Sequence, residues 1–68
     1  MPSENEVRAT LYEELADRAR KSSADWLQKA SEQPEESAAK YLFIGASEEA
    51  KIMRNYCEFA ALVEKTKI

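Results

Sequence analysis

The stretch Ser31-Glu32-Gln33-Pro34-Glu35-Glu36 decides the fold, because it sets a helix breaker among acids midway along an otherwise helix-forming chain. Proline lacks a backbone N–H and clashes with the preceding turn, so it is at home only in the first turn of a helix. One helix is therefore expected to end near Ala30, a turn to occupy residues 31–34, and a second helix to begin near Pro34. Glu35 and Glu36 would then sit at its positive dipole end, with Lys65 and Lys67 at the negative end. That polarity supports a run to about Thr66.

Upstream of the breaker, Ser3 and Glu6 have the S-x-x-E spacing of a capping box, in which each side chain satisfies a free N–H at a helix start. The first helix is expected from about residue 4 to residue 30. The pairs Glu4–Arg8, Glu14–Arg18, Asp17–Lys21 and Asp25–Lys29 stand at i,i+4 with the acid first, the better orientation. One glycine and two prolines in 68 residues leave few tight turns, and the abundance of Ala, Glu, Lys, Leu and Arg suits helices. The chain reads as all-α: an antiparallel two-helix hairpin forming one domain over residues 1–68.

Gly45 followed by Ser47-Glu48-Glu49 offers an alternative, in which the second helix breaks or kinks and three helices result. The apolar stripe Ala38, Leu42, Gly45, Ile52, Tyr56, Phe59 and Val63 keeps one 3-4 spacing across the glycine, which favours a continuous or kinked helix. The two helices would be ~40 and ~50 Å long at 1.5 Å per residue. These lengths match for a hairpin.

The first helix carries Tyr12, Leu15, Ala19, Ser22 or Ser23, Trp26 and Ala30 at heptad-like spacing, flanked by Val7, Leu11, Ala16 and Leu27. The second has two seams. Besides the stripe just named there is a line of mostly small residues, Ala39, Phe43, Ala46, Ala50, Met53 and Cys57, with Ala60 or Ala61. A single neighbouring helix covers only one side. The stripe is expected to meet the first helix, and the small-residue line to be an interface, most simply with a second copy in a helical bundle.

Size supports that expectation. Beginning at Met1, the chain reads as one small gene product, and chains below ~70–80 residues usually need disulfides, metal or oligomerisation for stability. Cys57 is the single cysteine and there is no histidine, so an intrachain disulfide and the usual zinc patterns are excluded. The acidic N-terminus is unlike a secretory signal. The apolar run Tyr41–Ile44 is far too short to span a bilayer. A cytoplasmic location and no membrane contact are expected.

Catalytic chemistry has no candidate residue. Cys57 lies among alanines with no histidine to activate it, which suits a small buried hydrophobe. Glu13-Glu14, Glu35-Glu36 and Glu48-Glu49 are adjacent pairs that point apart, whereas bundle di-metal sites use Glu-x-x-His. No phosphate loop, nucleophile elbow or cofactor fingerprint occurs. Neither an enzyme, a metal nor a cofactor is expected.

Two charges fall on apolar stripes, Arg8 and Glu49. With the turn at residues 31–34 they face about Cys57 and Ala16 respectively. Exposure at an end or gap is expected for Arg8, and an ion pair for Glu49. The net charge of −3 opposes general nucleic-acid binding. Arg18, Arg20 and Lys21, with Arg8, are the set that could contact phosphates, against the plainer reading of a solvated, salt-bridged face.

The function expected is non-enzymatic: self-association and binding of a protein partner, as regulator, inhibitor or assembly component. Two alternatives stand beside it. One is a nucleic-acid-binding bundle using the Arg18–Lys21 cluster; the other is an acidic inhibitor of a nucleic-acid-binding protein, of the kind phages and plasmids carry.

Overall fold

The Ser3 hydroxyl accepts a hydrogen bond from the Glu6 N–H at 3.1 Å and starts the first helix in the computed structural model, which describes residues 1–67. This helix, α1, spans Glu4–Ser31, and α2 spans Ala38–Lys65. They pack side by side in a hairpin measuring 51 × 16 × 10 Å along its principal axes. No strand occurs among the described residues.

The connection is longer than expected, and α2 begins at Ala38 rather than near Pro34. Its N-cap is Ser37, whose hydroxyl accepts from the Lys40 N–H at 3.1 Å, satisfying a donor that proline at a helix start would leave to solvent. Pro34 instead opens a tight turn. The Ser37 N–H donates to the Pro34 carbonyl at 3.2 Å, and Glu36 takes a positive φ of 61°, the third-residue conformation that type II turns reserve for Gly or Asn.

Through Gly45, α2 is continuous, and the glycine does not have positive φ. The three-helix alternative is therefore not adopted. A Cβ at Gly45 would meet nothing within 4 Å, so the glycine forms an open notch on the surface of the helix.

Contacts run in opposite order along the two helices. Asn5 meets Glu64, Tyr12 meets Tyr56, Ser23 meets Ser47 and Trp26 meets Phe43. On α1 the buried positions Ala9, Ala16, Ser23 and Ala30 recur every seven residues, with Ala19 beside them, which is the seam of a coiled coil. The matching seam of α2 comprises buried Ser47, Cys57 and Ala61, with half-buried Lys40, Phe43, Ala50, Arg54 and Glu64 in the remaining heptad positions.

The seam thus differs from expectation. Leu42, Ile52 and Phe59, from the stripe expected to meet α1, face outward, and Tyr56 touches α1 only edge-on at Tyr12 while remaining 61% exposed. The cause lies in α1, whose heptad positions are filled mostly by alanine and serine. Helices lined by small residues approach closely, and a large side chain between them would hold the backbones apart. The fully buried positions of α2 are therefore small, Ser47, Cys57 and Ala61, and Leu42, Ile52 and Phe59 are left outside.

Candidate interaction surface

Among the described residues, the buried apolar ones are Ala9, Ala16, Ala19, Ala30, Ala61 and Cys57. None is a large aliphatic or aromatic side chain, and a buried methyl contributes only about 0.8 kcal/mol. Trp26 adds a half-buried anchor. Its ring stacks on Phe43 with centroids 5.6 Å apart, and the Lys29 ammonium lies 4.6 Å from the Trp26 centroid. Trp26 thus anchors α1 against α2.

On the opposite side of α2, Tyr41, Leu42, Ile52, Tyr56, Phe59 and Leu62 are between 61% and 72% exposed. With Gly45 they form one face along most of the helix. Its polar members are Glu48, Glu49 and Asn55, all exposed. Large apolar residues outside and small ones inside invert the usual arrangement and leave a contiguous apolar face in water.

The small-residue line expected to meet a second copy faces largely into the hairpin. Cys57 is 1% exposed, Phe43 stacks on Trp26, and Ala39, Ala46 and Ala50 are half-buried. Met53 alone of that line is exposed. Beside it runs a shallow open groove with Ala46 and Ala50 along it, edged by Trp26, Ser22 and Glu49. Glu49 was expected to be ion-paired, yet it makes no ion pair among the described residues.

Charges bridge the helices on the other edge and at the open end. Glu13 pairs with Lys65 at 2.6 Å, and Arg20 with Glu58 at 3.2 Å. Partly exposed pairs of this kind add little stability but fix direction and register. At the open end the half-exposed Arg8 contacts Glu4 at 3.1 Å and Glu64 at 3.2 Å, while Asn5 donates to Glu64 at 2.8 Å. The Asn5 hydrogen bond, aided by Arg8, holds the Glu64 carboxyl below its ordinary range, against the opposing effect of partial burial.

The basic set is divided by the same contacts. Arg8 is engaged with Glu4 and Glu64, and Arg20 with Asp17 and Glu58. Arg18 and Lys21 are exposed and form no ion pair among the described residues. No three His, Cys, Asp or Glu residues come together as a metal site among the described residues. Among the described residues, no helix is long and apolar enough to cross a membrane.

The outward apolar face is the feature that sequence reading placed elsewhere. Its periodicity was legible, but not the side on which it would fall. Comparison of the chain with family models, with characterised proteins and with solved structures gives no match.

Proposed function

We propose that this protein is a non-enzymatic helical hairpin that acts through protein–protein interaction, with the outward face of α2 as its docking surface, in the role of regulator, inhibitor or assembly component. The observation that carries this reading is the inversion of apolar size across α2. Alanines and Cys57 line the contact with α1, while Leu42, Ile52 and Phe59 point away from it and Tyr56 and Leu62, on the flanks, stay 61% exposed. Ordering a residue costs about 1–2 kcal/mol of backbone entropy, so a hairpin with so small a core gains most by covering its large side chains against another surface. Aromatic and branched anchors on one helix face are the usual currency of helix-in-groove and bundle recognition.

Phosphate contact by the basic residues has weaker support, since Arg8 and Arg20 already serve acids within the chain. The test is capture from native-host extract by the wild-type chain and by the double variant Leu42→Gln/Phe59→Gln. A protein retained by the wild type and lost from the variant is the expected result. Identical retention by both overturns the reading.

A further inference from the structure

We infer that the occupant of the α2 face is a second copy of this chain, with α2 lying antiparallel to its counterpart about a two-fold axis at Ile52, so that two hairpins join through their α2 helices with each α1 on the outside. This rests on the interaction reading above and names the partner. The area is sufficient. At roughly 200 Å² for a fully exposed side chain of this size, the six exposed apolar residues leave about 800 Å² in water, the contribution of each partner to a standard stable interface.

The face is also self-complementary. Antiparallel helices related by a two-fold axis at residue 52 set Ile52 against its own copy and Phe59 against the partner's Gly45. Phe59 is 66% exposed, and the space beyond Gly45 is open, so a large ring meets a notch without a Cβ. The two flanks match by type. Leu42 falls opposite Val63 and Tyr41 opposite Leu62, while the acids fall opposite neutral donors, Glu48 facing Asn55 and Glu49 facing Tyr56. The donor at Asn55 is available, because its Oδ1 already accepts from Arg54 Nε and Nη2 at 3.2 and 3.1 Å, leaving Nδ2 to donate.

Competing arrangements lose these matches. A shift of the axis by half a heptad towards the N-terminus sets Glu48 and Glu49 against their own copies. The opposite shift sets them against Leu62 and Val63, burying carboxylates without donors. Parallel pairing stacks every residue on itself, with acid on acid and Phe59 on Phe59. Isologous closure also caps the apolar face and leaves no further site for growth.

The experiment is light scattering behind a sizing column at micromolar concentrations, combined with cysteine cross-linking. The wild type is expected to have the mass of two chains. Ile52→Glu sets two carboxylates together on the axis and is expected to weaken association by at least about 100-fold. Because that variant could lose its fold together with its partner, Ile52→Cys supplies a second reading. On air oxidation it is expected to form a disulfide-linked dimer, whereas Leu42→Cys, whose copies would lie ~30 Å apart at 1.5 Å per residue, is not.

Equal cross-linking at residues 42 and 52 overturns the antiparallel arrangement, as does a dimer unaffected by Ile52→Glu. A wild type that stays monomeric overturns the second-copy inference. If that monomer still loses a captured protein on Leu42→Gln/Phe59→Gln substitution, the interaction reading stands while the inference falls.

Discussion

Ser23 and Ser47 bring their hydroxyl oxygens to 3.1 Å across the buried seam, one donating to the other where water does not reach. No buried side-chain polar atom lacks a partner among the described residues. The pair therefore acts as a register pin: sliding one helix by a turn would set one hydroxyl against alanine and the other against Trp26 or Phe43. Ser23→Ala or Ser47→Ala alone leaves one hydroxyl stranded and is expected to cost about 1–2 kcal/mol. The double alanine variant should cost less than the sum of the singles, as measured by urea unfolding in a double-mutant cycle. Additive losses would show that the contact carries no coupling.

Stability should fall in acid through Glu64. Its carboxyl is held below the ordinary range, first by Asn5 and then by Arg8. A group whose folded pKa is depressed contributes stability above its unfolded pKa of about 4.3, and that contribution is lost as pH falls through the lower, folded value. Melting temperature is therefore expected to decline below about pH 4.3, with a shallower acid limb in Glu64→Gln. Identical limbs in the two proteins would remove Glu64 from the pH dependence.

Glu36 holds a φ of 61° in the connection, a conformation that costs an L-residue about 1–2 kcal/mol and glycine almost nothing. Glu36→Gly is expected to stabilise the hairpin by about 1 kcal/mol, after allowance for the extra freedom glycine has when unfolded. Chemical denaturation measures this directly, and a loss of stability would mean that the turn does not hold that geometry in solution.

What the sequence made legible, and what it did not, can be traced to these same residues. Helical class and the start of α1 followed from composition and from Ser3 with Glu6, where both halves of a capping box are present. Ser37 was missed because the residue three positions on is Lys40, so the box has no acid, and Pro34 offered the stronger local signal. Moving the turn from residues 31–34 to residues 32–37 displaces the facing register by several residues. That displacement is why Arg8 was set opposite Cys57 when it meets Glu64.

The choice of face has a different origin. Periodicity reveals that a helix has an apolar side, but not which neighbour covers it. The deciding information lay on the other helix, in the seven-residue recurrence of Ala9, Ala16, Ser23 and Ala30, which places the small residues Ser47, Cys57 and Ala61 at the buried positions opposite.

Cys57 should serve as a built-in reporter of that seam. It is 1% exposed between the helices, so a thiol reagent must wait for the hairpin to open. Modification of the native protein is expected to be slower than in urea by a factor tracking its opening equilibrium. Immediate native-state labelling would place the thiol at the surface and contradict the seam.

Ala50 gives the sharpest check on which face of α2 meets α1. It is half-buried at the seam, beside Ala19 and Trp26 along the shallow groove, and it is not part of the outward apolar face. Ala50→Glu keeps good helix propensity, so its effect reports surroundings rather than backbone preference. A carboxylate forced against the seam overpacks it and loses water, and the expected cost is about 1–3 kcal/mol. Ala24→Glu is the matched control, because Ala24 is exposed on α1 and the same change there should shift stability by less than about 0.5 kcal/mol. Thermal melts of the two variants at equal concentration separate the cases. If Ala50→Glu melts with Ala24→Glu, position 50 is open surface, and the large residues at 42, 52, 56 and 59 must be the ones facing α1.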